Sequence, residues 1–574
     1  MMSLRVHSTW TEPIWERIAM YKLSIKYECE GRVRRTHDLK TKDFEIELSS
    51  ADGCLKAVLK PKGKIKFYEF KLVSDFRFTS EHRIFVNGYQ SWTESREYTP
   101  REKMDLLNIV NDFFLKSPFN KNTGLGAAGD LFFCKHPKRA GEFYGYSYGY
   151  VRNKNEIDLI ASLDESTGYT IIRFNSNNNT FSVEKDLEGV IFDSESTIID
   201  FVRLKGTYDD VFDRWFSLMN ISCRQKEKMN GYTTWYNYYG NVDESIVKRD
   251  LKSISELPQK VDIFQIDDGY QKAIGDWLNT NEKKFPCSMK STADNIHGKN
   301  MLAGLWLAPF AATKESFIYK EHKDWLVKGK SGKPCVAGAN WGGFYVVDFL
   351  HPQARKYLQK VFDTVLNEWG YDMVKLDFLY AACIVPRQNK SRGQLMCEAM
   401  DFIRECVGDK LILGCGAPLM PCFGKVDFCR IGPDVSLDWR FNPLGIREDV
   451  STPNTVACTV FRRGLNGRAF MNDPDVFLLR DNNIKMDYNK QKLLATVNSV
   501  FGSLLFVSDN VSEYTEEKLA FFNEIISKNQ AKILNVEKDN GDIIKTTYEK
   551  DGKKYTLSFN YKNGFLLQSE TEKY

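Results

Sequence analysis

The stretch YDMVKLDFLYAA, residues 371–382, decides how the rest of the chain is interpreted. Its apolar run predicts a buried β-strand, yet Lys375 and Asp377 stand inside it. Burying an unpaired charge is costly, so such groups persist where they are paired, hydrogen-bonded or used in chemistry. The two charges therefore indicate either a salt bridge that locks the end of a strand or an active site.

Seven further β-rich runs of this kind alternate along the chain with segments that show helical spacing. The eight runs are residues 232–239, 261–270, 301–310, 371–378, 410–418, 426–434, 468–475 and 502–510. Eight strands with intervening helices predict a (β/α)8 barrel over residues 228–526. Two features are irregular. FYVVDF (344–349) adds a strand-like run, and the segment between the fifth and sixth runs is too short for a full helix.

The flanking segments are predicted to be all-β. Residues 21–227 contain short alternating runs bounded by turn residues, which predicts a sandwich of antiparallel sheets. Residues 527–574 return to this alternation and predict a small C-terminal antiparallel β domain, and residues 1–20 are interpreted as an N-terminal extension. The predicted fold is a multidomain α/β protein with a central TIM barrel, an N-terminal β-sandwich and a small C-terminal β domain.

Composition argues against several classes of function. The 80 basic and 76 acidic residues leave a net charge of +4 without long runs of one sign, so no nucleic-acid partner is expected. No apolar stretch predicts a membrane span, and the N-terminus lacks the apolar core of a secretion signal. The 13 cysteines show no pairing pattern and the 7 histidines no metal-ligand spacing. These features favour a reducing, cytoplasmic location with no metal and no cofactor.

Functional residues of a (β/α)8 barrel lie at the C-terminal ends of its strands. The runs place there Asp267, Asp268, Trp306, Lys375, Asp377, Cys415, Gly416, Arg430 and Asp434. A rim of carboxylates with Trp, Lys and Arg fits carbohydrate chemistry, because glycoside cleavage uses two carboxyl groups that flank the bond, and indole rings pack on sugar rings. Charge proximity to Lys375 is expected to lower the pKa of Asp377 and keep it ionised.

Several motifs in this region resemble those of a known family. FQIDDGYQKAIGDWL, GLWLAPF, KLDFLYA, LGCGAPLMPCFGKVDFCRIGPD and MNDPD, in this order, resemble glycoside hydrolase family 36, the α-galactosidases of bacterial and plant type. The resemblance covers residues 232–510, and the family's domain order also matches. It implies that Asp377 is the nucleophile and Asp434 the general acid/base of a retaining reaction through a covalent galactosyl-enzyme, with the two carboxyl groups about 5 Å apart.

The resemblance also implies a set of residues that bind galactose. Asp267 and Asp268 match the pair that binds the axial 4-OH and the 6-OH. Lys375 and Arg430 match cations that hydrogen-bond ring hydroxyls and the catalytic carboxylates.

Further residues of this set are implied to form the walls of the site. Trp306 matches the indole that lines the galactose pocket, and Cys415 and Gly416 line the 2-position. Trp92, in NGYQSW, matches a tryptophan that the N-terminal domain contributes, although sandwich core is the alternative for it. Other residues near the strand ends are interpreted as packing or bracing: Trp235, Tyr236, Asn472, Asp473 and Asp475, while Trp277 either caps the site or packs a loop.

The predicted function is exo-hydrolysis of terminal α-linked galactose from small oligosaccharides of the melibiose or raffinose type. Two alternatives use the same site: an α-N-acetylgalactosaminidase, decided by the space beside the 2-position, and an α-galactosyltransferase resembling raffinose synthase. From a different class, a non-catalytic sugar-binding protein is the remaining alternative. Related enzymes differ in oligomeric state, so an oligomer is compatible with the sequence.

Overall fold

The computed structural model describes residues 21–104, 124–329, 331–439, 446–526 and 531–572. The N-terminal extension predicted for residues 1–20 lies outside the described residues. Across the ranges that are described, no helix combines the length and the apolar character needed to cross a membrane.

The N-terminal part is a sandwich of two antiparallel sheets. Its strands are β1 (Tyr21–Cys29), β2 (Arg32–Thr36), β3 (Phe44–Ala51), β4 (Cys54–Pro61), β5 (Ile65–Asp75), β6 (Arg83–Val86), β7 (Arg96–Tyr98), β8 (Glu142–Tyr146), β9 (Tyr148–Asn153), β10 (Glu156–Ser162), β11 (Thr170–Asn175), β12 (Thr180–Lys185), β13 (Ile191–Phe192) and β14 (Ser196–Thr207). One sheet has the order β2-β1-β5-β12-β11-β8, with β13 beside β5, and the other β3-β4-β14-β10-β9-β6-β7. Alternate side chains of β1 (Leu23, Ile25, Tyr27 and Cys29) are buried between the sheets, which confirms the predicted sandwich. Helix α1 (Tyr208–Leu218) then leads into the barrel.

The central part is the predicted (β/α)8 barrel. Its strands, together with those of a short excursion, are β15 (Met229–Thr233), β16 (Ile263–Ile266), β17 (Leu302–Leu307), β18 (Ala311–Ala312), β19 (Val336–Gly338), β20 (Phe344–Val346), β21 (Met373–Leu376), β22 (Leu411–Gly414), β23 (Phe428–Arg430), β24 (Met471–Asp473), β25 (Val476–Phe477) and β26 (Leu504–Val507). The barrel sheet has the order β24-β23-β22-β21-β17-β16-β15-β26-β25, and every pair in it is parallel. The Ser503 amide donates to the carbonyl of Asn472 at 2.9 Å, which links β24 to the start of β26 and closes the ring.

Helices cover the outside of the barrel and connect its strands. They are α2 (Trp235–Tyr238), α3 (Glu244–Ser255), α4 (Met289–His297), α5 (Phe317–Glu321), α6 (Pro352–Asp363), α7 (Arg392–Val407), α8 (Thr452–Phe461), α9 (Tyr488–Phe501) and α10 (Glu516–Ile525). A single 3-10 turn, Met420–Cys422, joins β22 to β23, as the short spacing predicted. The strand-like run FYVVDF is not a barrel strand, because β20 pairs with β18 and β19 in a separate antiparallel sheet inserted between β17 and α6.

The C-terminal part is a four-stranded antiparallel sheet of β27 (Lys532–Lys538), β28 (Ile543–Lys550), β29 (Lys553–Asn560) and β30 (Phe565–Glu572). The Trp439 indole nitrogen donates to the carbonyl of Tyr561 at 3.0 Å and ties this sheet to the barrel. The sheets lie within the predicted segments 21–227, 228–526 and 527–574, whose limits as domain boundaries stay a prediction.

Candidate active site

A pocket of about 250 Å³ lies at the C-terminal ends of the barrel strands. Its lining includes seven of the ten predicted site residues: Trp92, Asp267, Asp268, Trp306, Lys375, Asp377 and Asp434. The other three, Cys415, Gly416 and Arg430, are buried next to this lining, where they contact Trp92 or Asp434. The structure therefore brings the whole predicted set to one end of the barrel.

Asp377 follows β21 and is buried, with 8% of the residue exposed. Two neutral donors hold its carboxylate: the Trp306 indole nitrogen donates to Oδ2 at 3.1 Å, and the Phe378 amide to Oδ1 at 2.9 Å. Phe378 adopts a left-handed conformation with φ of 54°, which is uncommon for a residue with a side chain and turns the chain directly after Asp377. Such local strain is often concentrated at functional sites.

The predicted effect of Lys375 on Asp377 is only half correct. Burial raises the pKa of Asp377 above its ordinary value, and this outweighs the lowering by the Lys375 ammonium, while Asp434 raises the pKa further. The sequence argument predicted a lowered pKa because the depth of burial was not known. Lys375 itself donates to Oδ2 of Asp267 at 2.8 Å. Burial acts to lower the pKa of Lys375, but Asp267 and Asp377 outweigh it and raise the pKa, so the ammonium stays charged.

Asp267 and Asp268 follow β16 and are both buried with defined partners. Gln265 donates to Oδ2 of Asp267 at 2.9 Å, beside the contact with Lys375. The Trp341 indole nitrogen donates to Oδ2 of Asp268 at 2.9 Å. Burial raises the pKa of Asp268, against the opposing effect of the hydrogen bonds that Gln271 and Trp341 donate to it. The two carboxyl groups are thus held in place while facing one cavity, which suits recognition of adjacent hydroxyl groups.

Asp434 lies across the pocket in different surroundings, with 35% of its side chain exposed. Arg430 donates to its Oδ1 at 2.8 Å and also contacts Asp473 at 3.2 Å and Asp475 at 2.7 Å. Burial, with Asp434 and Asp473 nearby, raises the pKa of Asp475 to about 7, although Arg430 lowers it. Asp473 and Asp475 therefore brace Arg430 from behind, which fits the bracing interpretation.

Trp92 is in contact with the barrel and is not part of the sandwich core. Its indole nitrogen donates to the Cys415 sulfur at 3.3 Å. Gly416 has φ of 56°, and a Cβ there would lie 2.9 Å from the Trp92 ring. A residue larger than glycine at position 416 would therefore displace the indole, so this wall of the pocket depends on close packing between the two domains.

Other aromatic residues divide between the lining and the layer behind it. Trp277 is fully buried and packs edge-on against Trp306, so it braces the lining. Trp235 lines the pocket, whereas Tyr236 is buried and donates its hydroxyl to Asp475.

The pocket also contains residues to which the sequence reasoning gave no role. They are Phe378 and Tyr380, the excursion residues 338–341, the sandwich residues 124–126 and 128, and the barrel residues 446 and 448–450. Trp341 has φ of 54° and lies in the excursion between β19 and β20. The alternation of strands and helices along the barrel sequence does not predict this excursion. The motif NWGG, with two glycines after an aromatic residue, is the one local signal that marks a tight turn there.

A (β/α)8 barrel with four strand-end carboxyl groups and four indoles around one pocket has the arrangement expected of the barrel glycosidases as a class. Residues 221–396 match the family model Melibiase. Alpha-galactosidase Mel36A of Lactobacillus acidophilus is 29% identical over 136 residues, which are 22% of this chain and 18% of that protein. An A type blood alpha-D-galactosamine galactosaminidase of Flavonifractor plautii is 30% identical over 169 residues, 28% of this chain and 15% of that protein.

A similar fold is found in TtGalA, an α-galactosidase from Thermus thermophilus in complex with p-nitrophenyl α-D-galactopyranoside. The TM-score is 0.70 at 22% identity, covering 92% of this chain and 98% of that one. Residues 221–396 are therefore similar to the Melibiase family, in agreement with the motifs. The matched stretches span only 18% and 15% of the lengths of the two curated relatives.

Proposed function

We propose that the protein is a retaining, exo-acting α-galactosidase. The observation that carries the proposal is the meeting of Asp377 and Asp434 in one small pocket, one held by neutral donors and the other by a buried guanidinium. Glycoside cleavage needs two carboxyl groups with different tasks, and this asymmetry supplies them. A pocket lined by strand-end side chains suits the terminal sugar of an oligosaccharide, which supports exo action.

The first half of the reaction transfers galactose to the enzyme. Asp434 protonates the leaving oxygen while Asp377 attacks C1 from the opposite face and forms a covalent galactosyl-enzyme. Asp377 must be ionised to attack, and Lys375 and the Trp306 indole both favour its ionised form.

The second half releases the sugar. Asp434, now ionised, takes a proton from water, which attacks C1 and restores the α configuration. The partial exposure of Asp434 supports this exchange with solvent, since the incoming water has to reach it. Arg430 holds the carboxylate in position through both halves.

The proposed substrates are small oligosaccharides that end in α-galactose, of the melibiose or raffinose type. Asp267, Asp268 and Lys375 are proposed to bind the ring hydroxyls. The Trp92 indole packs on Gly416 at the wall implied for the 2-position, and we take this close-packed wall to favour galactose over a sugar with an acetamido group. The second candidate is the N-acetylated sugar, and one relative is named for a galactosamine, which also carries nitrogen at the 2-position.

A cytoplasmic location is also part of the proposal. All 13 cysteines are free thiols, and several of them, such as Cys383 and Cys458, are buried in the core. A reducing compartment would keep them in this state.

The direct test is release of p-nitrophenol from paired α-galactoside and α-N-acetylgalactosaminide substrates. The wild-type protein is expected to cleave the galactoside in preference, with free α-galactose as the first product by NMR. The Asp377→Ala variant is expected to be inactive, and Asp294→Asn, which changes an exposed aspartate on α4, serves as the matched control. Preference for the N-acetylated substrate would overturn the sugar assignment, and β-galactose as first product would overturn retention.

A further inference from the structure

Part of the pocket is built by two loops that do not belong to the strand ends. We call residues 124–129 of the sandwich and 446–450 of the barrel the outer wall. The sandwich loop is seated on the barrel excursion, since a Cβ on Gly124 would lie 2.6 Å from the Gly338 carbonyl carbon. The Gln90 side-chain amide donates to the carbonyl of Ala128 at 3.3 Å. The outer wall is therefore in contact with fixed elements on both sides.

Glu448 places a carboxyl group in this outer wall. Thr93 donates its hydroxyl to Oε1 of Glu448 at 2.7 Å. Gly129 leaves the space for the other oxygen, because a Cβ there would lie 2.7 Å from Oε2. In the described part of the chain, Oε2 has no protein hydrogen-bond partner. Oε1 of Glu448 is thus held by Thr93, whereas Oε2 is available to hydrogen-bond a ligand that enters the pocket.

Among the described residues, no charged side chain forms an ion pair with Glu448. Arg447, its neighbour in the chain, donates to the carbonyl of Glu94 at 2.7 Å. Burial raises the pKa of Glu448 to about 7, Arg447 lowers it, and Asp130 and Asp449 add to the rise. Near neutral pH the free oxygen is therefore able to accept a hydrogen bond or, when protonated, to donate one, and both suit a sugar hydroxyl.

We propose that Glu448 is a specificity-determining residue that binds a hydroxyl group of the leaving sugar, the residue linked to the terminal galactose. The inference rests on the proposed function. The strand-end residues Asp267, Asp268 and Lys375 already supply the polar groups for the galactose ring at the barrel itself. The outer wall comes from other elements, and the amide of Ser451, next to it in the chain, donates to the carbonyl of Asp434 at 3.0 Å. This contact puts the end of the outer wall beside the residue that protonates the leaving oxygen.

The test compares two leaving groups on one enzyme. Raffinose leaves a sugar with hydroxyl groups, whereas p-nitrophenyl α-galactoside leaves a ring that offers no hydroxyl to Glu448. For Glu448→Ala, the ratio of kcat/KM for raffinose to kcat/KM for the aryl galactoside is expected to fall about tenfold, the effect of one lost hydrogen bond to a charged partner. Glu448→Gln, which keeps the shape and the acceptor oxygen, should recover part of the loss. Because any misfolded fraction lowers both rates equally, it cancels from the ratio.

The matched control is Glu405→Ala, which removes an exposed glutamate on α7, and its ratio should equal that of the wild type. An unchanged ratio in Glu448→Ala would overturn the inference. An equal fall with both substrates would also overturn it, since Glu448 would then act on the galactose ring or on the fold. A wild-type protein that cleaves neither substrate would instead refute the proposed function itself, and this inference with it.

Discussion

The two carboxyl groups proposed for catalysis stand in opposite surroundings across one pocket. Asp377 is buried and accepts hydrogen bonds from an indole and a backbone amide, both neutral. The Asp434 side chain is 35% exposed and is held by the guanidinium of Arg430, which two further carboxylates brace. Asp377 is buried and positioned by the barrel wall, whereas Asp434 is partly exposed to solvent and positioned by a network of ion pairs.

This difference separates the two tasks of a retaining glycosidase. A nucleophile has to be fixed in line with C1 and shielded from water that would compete with it. An acid/base group has to exchange protons with solvent while keeping its orientation. Substitutions on one side of the pocket at a time should therefore change different steps of the reaction.

The largest effect is expected from the buried side. Asp377→Gly should lower kcat by at least about 10⁴-fold with both raffinose and p-nitrophenyl α-galactoside, because the covalent route is lost whatever the leaving group. Azide, which fits the vacated space, should restore part of the turnover and yield β-galactosyl azide, detected by NMR. Formation of the α-azide instead would assign the nucleophile's role to another residue.

A smaller and selective effect is expected from the exposed side. Asp434→Asn should lower kcat with raffinose by about 10²- to 10⁴-fold, the usual contribution of a general acid. The loss of the first step should be much smaller with p-nitrophenyl α-galactoside, since p-nitrophenolate leaves without protonation. Pre-steady-state release of p-nitrophenol measures that step. Equal losses with both substrates would remove the distinction between the two carboxyl groups.

The ion network offers a milder perturbation. Asp475→Asn removes one of the carboxylates that anchor Arg430, and kcat with raffinose should fall about tenfold at pH 8. The pKa of Asp475 is raised to about 7, so the wild-type group is ionised above that pH and becomes protonated below it. The difference between variant and wild type should therefore shrink as the pH falls from 8 to 6. Asp481→Asn, at an exposed aspartate, is the control, and a gap that widens in acid would contradict the bracing role.

The smallest effect is a shift along the pH axis. The Trp306 indole lowers the pKa of Asp377, so Trp306→Phe should raise that pKa further. Because the nucleophile has to be ionised, the acid limb of the kcat/KM profile should then move to higher pH, by about one unit for one lost hydrogen bond to a charged group. The pH profile with the aryl galactoside measures it, and a shift to lower pH would exclude Asp377 as the group that titrates.

The barrel was predictable because its strands are buried on both faces and stand out as apolar runs interrupted by charge at one end. The proximity of Asp377 and Asp434 was also predictable, because the C-terminal ends of the strands of one barrel lie at the same rim. The short connection before β23 was also readable from its length. FYVVDF was not, because pairing with β18 and β19 depends on contacts between distant segments that a single run does not reveal.

Within the site, the sequence did not predict the hydrogen-bond partner of Lys375 or the direction in which the pKa of Asp377 is shifted. Both depend on which neighbouring strand faces the side chain and on how deeply it is buried. Trp341 and Glu448 escaped for another reason, since each stands in a loop whose position is set by packing against another element. Local patterns predict secondary structure, but they do not indicate where such loops end.

The packing of the Trp92 segment against the barrel has a consequence for how the protein becomes active. Arg462, on the barrel, donates to the carbonyl of Gln90 at 3.0 Å and to the side-chain oxygen of Asn87 at 2.9 Å, and so clasps the segment that carries the indole. The wall of the pocket that contains Trp92 therefore forms only when the sandwich packs against the barrel. A newly synthesised chain would therefore gain activity only after both parts have folded and packed together, and loss of this contact alone would lower turnover.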